Sequence, residues 1–255
     1  MQGVAVIAAN AVRELVRSKL LYNLLIFAVL LIVSSFGIAQ LTIGNWDRII
    51  LDMGLAAIEV VGVLVAVLIG VNVVAGEIER KTIYATLAKP IGRGAFVVGR
   101  YAGLVGILAI NVLIMIGTLA VVLNFASHGL TRTSVFAAGL LFVELTLMAA
   151  VAVFFSSFTT PILGAAFSFC VFPIGHLLGD LRVFGDRSKS EVLRVLMSGL
   201  YRVLPDLELL NLKAQAANRL EVDGLGALAA AGYGLGYAMV MVALAVIFFQ
   251  RRDLK

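Results

Sequence analysis

The sequence predicts an all-α integral membrane protein with six transmembrane helices, and three observations predict it. Of 255 residues, 62% are hydrophobic and only 14% charged, and the mean hydropathy is +1.06. The apolar residues form long runs, each near the ~20 residues a helix needs to cross ~30 Å of hydrocarbon. The charges concentrate between those runs. Helices are the expected element because lipid offers the backbone no partners, and the runs are too long for barrel strands. The formal net charge of +5 therefore reflects membrane topology and not nucleic-acid binding.

The elements follow in chain order. Near the start, Val4, Ile7, Ala8, Ala11 and Leu15 recur at helical spacing, with Asn10, Arg13, Glu14 and Arg17 opposite. That pattern predicts an interfacial helix on the cytoplasmic leaflet, either a plain anchor or a clasp for a partner. The apolar run after Lys19 outlasts a secretory signal core and reads as a retained span. Six spans are expected at about 20–43, 55–75, 97–123, 135–155, 161–181 and 225–249, with an external helical insertion at about 182–224. Together they make one transmembrane domain over 1–255.

Lysine and arginine placement orients the spans. Arg13, Arg17 and Lys19, then Arg80, Lys81, Lys89, Arg93 and Arg100, then Arg251, Arg252 and Lys255 put 11 basic residues on one side. The short loops opposite carry Arg48 and Arg132. The positive-inside rule makes the first side cytoplasmic, with both termini inside. A bacterial or archaeal inner membrane is the expected location. In the external insertion, Ser188 and Glu191 fit a capping box that opens an amphipathic helix closed by Pro205. Asp206 then starts a second short element.

Polar residues inside the spans are few. Glu59 and Glu144 would each cost about 2.5–3.5 kcal/mol at mid-bilayer, so they face a bundle interior or a wet cavity. They read as a substrate or proton path, or as structural hydrogen bonds between helices. Glu59, four residues into its expected span, also suits a wet interfacial position. Asn72 and Asn111 are expected to hydrogen-bond between helices, and His176 to sit tethered at the outer interface. Gly232 and Gly236 form a small-residue face for close packing within the chain or between copies.

Chemistry motifs are absent from the sequence. There is no phosphate loop, metalloprotease helix, nucleophile elbow or dinucleotide fingerprint. Cys170 is the single cysteine and cannot pair within the chain. Neither His128 nor His176 has a cysteine or carboxylate at ligand spacing, so no metal site is expected. The chain reads as a non-enzyme that draws energy from a partner or an ion gradient.

The island from Gly76 to Arg100 carries the strongest signal. Glu77, Glu79, Arg80 and Lys81 alternate with Ile78, Thr82, Ile83 and Ala85 in a helical pattern that Lys89-Pro90-Ile91-Gly92 breaks. A new helix from about Arg93 runs into the third span. The result is a stiff elbow able to transmit a push between soluble and membrane parts.

This elbow resembles the permease subunits of ABC-2 type ABC transporters, particularly the group that includes the nitrous-oxide-reductase maturation permease. The matching elements are Glu77 and Glu79, Thr82, Leu87, Pro90-Ile91-Gly92-Arg93 and Gly99-Arg100, with Leu204-Pro205-Asp206-Leu207 in the insertion. Lys81, Gly92 and Gly94 depart from the pattern. The resemblance implies a half-transporter without its own cofactor, pairing with a second permease copy as a homodimer or a related heterodimer. Two ABC ATPase subunits would bind ATP and Mg2+, and the segment from Glu77 to Arg93 would be the coupling helix seated on them. Membrane lipids, an extracytoplasmic accessory protein and an export direction complete the expectation. The alternatives are a gradient-driven transporter or channel using Glu59 and Glu144, and a membrane scaffold that recruits a cytoplasmic partner.

Overall fold

The structure is a computed structural model that describes residues 2–41, 44, 46–76, 92–126, 129–187 and 190–252. Among these, ten α-helices occur and no strand. They are α1 (Gln2–Val16), α2 (Lys19–Gln40), α3 (Trp46–Val71), α4 (Arg93–Phe125), α5 (Arg132–Ser156), α6 (Pro161–His176), α7 (Leu178–Arg187), α8 (Glu191–Val203), α9 (Lys213–Ala217) and α10 (Gly224–Arg251). A π-helical turn, Asn72–Gly76, continues α3. Five helices are long and apolar enough to cross a membrane, and a sixth crossing results if the bent pair α6–α7 counts as one.

Hydrophobic pattern decides which helices are central. In α3 and α5 the most apolar stretch is 78% buried, against 22% in α2 and 28% in α10. Helices apolar all round belong inside a bundle, whereas a helix with one buried stripe turns its other face to lipid. Accordingly α2 buries Leu21, Ala28, Ile32, Ser35 and Ala39 at spacings of three, four or seven and exposes Ile26, Phe27, Leu30 and Val33. Glycine brings the central pair together. A Cβ at Gly70 would lie 2.9 Å from the Ala152 Cβ, and one at Gly62 would collide with the Leu145 side chain. Without a hydrophobic drive between helices in lipid, such close backbone approach is what makes packing favourable. On α10, Gly234 meets Val143 and Leu210, while Gly232 and Gly236 face open space, so this small-residue face is only partly used within the chain.

The N-terminal helix differs from a plain surface anchor. Its apolar stripe packs on α4, with Ile7 and Ala11 buried. Gly99 and Gly103 permit the approach, since a Cβ at Gly103 would lie 2.6 Å from the Ala11 Cβ. Glu14 accepts from Arg100 at 2.6 Å and fixes the pairing from its polar side. At the same end, Arg93 donates to the Gln250 and Arg252 carbonyls, both at 3.2 Å. Arg252 in turn donates to Ser156 O and Ser157 O at 3.3 and 3.2 Å. Helix C-termini leave carbonyls without intrahelical partners, and these two guanidinium groups satisfy them.

Three expectations need correction. The fifth crossing is not one straight helix over 161–181: α6 and α7 meet at a bend of 68°. Pro173 lacks the N–H its turn would need, and α6 stops three residues later at His176. Helix α8 begins at Glu191 with Ser190 as N-cap, two residues after the cap that the expected capping box needs. Ser188 itself lies outside the described residues. Finally, α3 starts at Trp46 and not near Leu55, so Glu59 sits well inside a helix and not in its first turns.

The insertion is tied to the end of the bundle remote from Arg93. Leu207 N donates to Gly175 O at 3.1 Å, using a carbonyl released where α6 ends. Asp206 N donates to the Tyr233 hydroxyl at 2.9 Å, and the Tyr237 hydroxyl donates to Val203 O. Arg219 pairs with Asp47 at 2.7 Å, and Thr133 Oγ1 donates to Leu220 O at 2.9 Å. Pro205 closes α8 as expected, and the short element after Asp206 is a 3-10 turn, Glu208–Leu210, leading to α9.

Candidate functional site: a buried Glu-Glu-His-Lys cluster

Four elements bring one ionisable side chain each to a single point. Glu59 comes from α3, Glu144 from α5, His176 from the last residue of α6 and Lys213 from the first residue of α9. The side chains of Glu59 and Glu144 are 6% and 2% exposed, and those of His176 and Lys213 are 17% and 20% exposed. His176 Nε2 lies 3.3 Å from Glu59 Oε1 and 3.6 Å from Glu144 Oε1. The other Glu59 oxygen, Oε2, accepts from Lys213 Nζ.

Local structure explains each placement. The break after Pro173 ends α6 at the depth of the two carboxylates, so the imidazole reaches inward instead of continuing up a straight span. The Phe172 carbonyl accepts from His176 Nδ1 at 3.2 Å, and the Phe172 ring meets the imidazole edge-on at 4.8 Å. Leu207 packs over Gly175, where a Cβ would come within 2.7 Å of its side chain, and this holds the insertion against the break. Lys213 follows directly from that docked segment.

The electrostatics are those of mutual compensation. Two ionised carboxylates this close cannot share a dry site uncompensated; a proton on one of them or a neighbouring cation must offset the charge. Lys213 supplies one positive charge from the insertion side. His176 Nε2, Glu59 Oε1 and Glu144 Oε1 nevertheless have no hydrogen-bond partner among the described residues, although all three atoms are buried.

Glu59 and Glu144, singled out separately in the sequence, thus face one another's site. Asn72 and Asn111 do not join them, and among the described residues neither bonds between helices. Asn72 Nδ2 donates to Leu68 O at 2.7 Å and Asn111 Nδ2 to Ile107 O at 3.1 Å, each on its own helix. Linear spacing missed His176 and Lys213. The residues meet from positions 59, 144, 176 and 213, which no ligand-spacing motif covers. The usable signal was Pro173 three residues before the histidine, which marks a helix end inside an apolar run. Of the expected coupling residues, Glu77, Glu79, Arg80, Lys81, Thr82, Leu87 and Pro90 lie outside the described residues, and Arg93 anchors α4 to the end of α10. Arg13 on α1 and Arg17 just after it are exposed.

No curated protein matches the chain. A family model does match: that of the ABC-2 family transporter proteins, over residues 5–254. The match takes in every helix from α1 to α10 and all four members of the cluster. With its apolar spans, its amphipathic first helix and its docked insertion, the chain belongs to the ABC-2 family of transporter proteins.

Proposed function

We propose that this protein is the membrane-spanning permease subunit of an ATP-driven exporter, moved by a separate ATPase. The observation that carries the reading is the family match over 5–254, in a sequence that holds no phosphate loop for ATP. A transporter of this kind takes its energy from a nucleotide-binding partner, which supplies ATP and Mg2+ chemistry. Two permease copies and two ATPase subunits make the working unit, in a bacterial or archaeal inner membrane with both permease termini in the cytoplasm. The Glu77–Arg93 elbow, with its resemblance to the nitrous-oxide-reductase maturation group, is the coupling element. Arg93 fits that role, because its hydrogen bonds to the end of α10 would carry a displacement of the elbow into two spans at once.

The test is coupling. In proteoliposomes holding the permease and its ATPase, Glu77→Ala with Glu79→Ala is expected to weaken ATPase binding or to leave ATP hydrolysis unresponsive to cargo. Unchanged binding with unchanged coupling would count against the assignment. The buried carboxylates favour one second reading, a gradient-driven carrier working through Glu59 and Glu144. Under that reading, liposomes lacking any ATPase would still accumulate cargo along an imposed gradient.

A further inference from the structure

We propose that Glu59 Oε1, Glu144 Oε1 and His176 Nε2 form a three-ligand site for a divalent transition-metal ion of the zinc type. All three atoms lie within 4.8 Å of one another, contributed by α3, α5 and the end of α6. Two edges of this triangle are 3.3 and 3.6 Å. Ligand atoms at about 2.0–2.1 Å from a tetrahedral zinc ion are separated by about 3.3 Å, so the edges match a shared metal.

The protonation pattern points the same way. A carbonyl oxygen only accepts, so His176 Nδ1 carries the hydrogen in its contact with Phe172 O. In the neutral ring Nε2 then turns a lone pair toward two carboxylate oxygens. This is the orientation that metal-bound histidines adopt, with the far nitrogen fixed by a backbone carbonyl. A proton on Nε2 could serve one carboxylate at a time, and all three buried atoms lack a hydrogen-bond partner among the described residues. One divalent ion would satisfy them together.

Lys213 does not block this arrangement, because it holds Glu59 Oε2 and leaves Oε1 directed at the other two ligands. It acts as the outer partner that orients a ligating carboxylate. Two oxygens and one imidazole nitrogen, with no sulfur, suit zinc, manganese, iron(II) or cobalt(II) and not copper(I). Two carboxylates, the ammonium group and a divalent ion sum to one positive charge. The fourth coordination position therefore favours hydroxide or an anionic group. Access runs from the insertion side, where His176 and Lys213 keep their partial exposure.

This inference stands apart from the ATP-driven reading, since it concerns the permease chain alone. The full chain, purified in detergent and stripped with chelator, is titrated with Zn2+ and separately with Co2+. One ion per chain is expected, with the absorption of four-coordinate Co2+ and a raised melting temperature. Glu144→Gln and His176→Gln are each expected to weaken binding at least about 100-fold, beyond the ~10–100-fold range of changes in outer-shell partners. Glu14→Gln, at the other end of the bundle, should bind as the parent does. If a variant fails to fold, the parent's stoichiometry and cobalt spectrum still decide. No stoichiometric ion in the parent, a six-coordinate cobalt spectrum, or equal affinity in the folded Glu144→Gln variant would overturn the proposal.

Discussion

At the residue scale the decisive pair is Lys213 with Glu59. A buried ion pair adds little net stability compared with an apolar replacement, but removing one partner strands the other charge. Lys213→Met is therefore expected to destabilise the folded chain by about 3–5 kcal/mol, and Lys213→Met with Glu59→Gln by clearly less. Melting curves of the four members of that double-mutant cycle in detergent check the sign. A double-variant loss equal to the sum of the two single-variant losses would show that no coupling exists. Glu59 and Glu144 were legible in the sequence as expensive charges in apolar surroundings, because insertion cost depends only on residue type and depth. Their shared location was not legible, since contacts between positions 59, 144, 176 and 213 are set by packing and not by spacing.

At the element scale two devices shape the molecule, one glycine-based and one proline-based. Gly99 and Gly103 let α1 lie against α4, turning what the pattern presents as a membrane anchor into a packed helix. Amphipathicity reports that one face is apolar, but it cannot say whether lipid or protein covers it. Gly103→Leu would drive the side chain into Ala11 and the Ala8 backbone. It is expected to release α1, with faster trypsin cleavage after the exposed Arg13 and Arg17. Parent-like cleavage in a folded variant would contradict the packing. Pro173 does the second job by ending α6 beside the carboxylates. Hydropathy saw a single run over 161–181, because the residues on both sides of the 68° bend are apolar enough to pass as one span. Discontinuous helices whose ends line polar sites recur in transporters, and the same physics applies here.

At the scale of the whole molecule, the all-α membrane class was legible in the sequence, and the six expected spans compare with five long apolar helices plus the bent pair α6–α7. The one-stripe helices α2 and α10 surround the doubly buried α3 and α5. Basic residues of α4 and the Arg252 cap of α10 gather at one end: Arg100 with Glu14 of α1, and Arg93 and Arg252 with helix C-terminal carbonyls. The insertion docks at the other, where Lys213 enters the cluster. This polarity follows from the charge pattern, since most of the charged residues lie outside the apolar runs. It also gives the proposed transporter two ends of different character, Arg93 bonded to the end of α10 at one and a charged interior reached from the other.

The most direct test of an ATPase-driven permease is the composition of the particle in its own membrane. Cross-linking before solubilisation, followed by native mass measurement, is expected to give two copies of this chain with two nucleotide-binding subunits. Glu77→Ala with Glu79→Ala should shift the mass toward the permease pair alone or leave a particle whose ATP turnover ignores the permease. A permease that migrates free of any nucleotide-binding subunit, and moves its cargo at full rate in that state, would contradict the account.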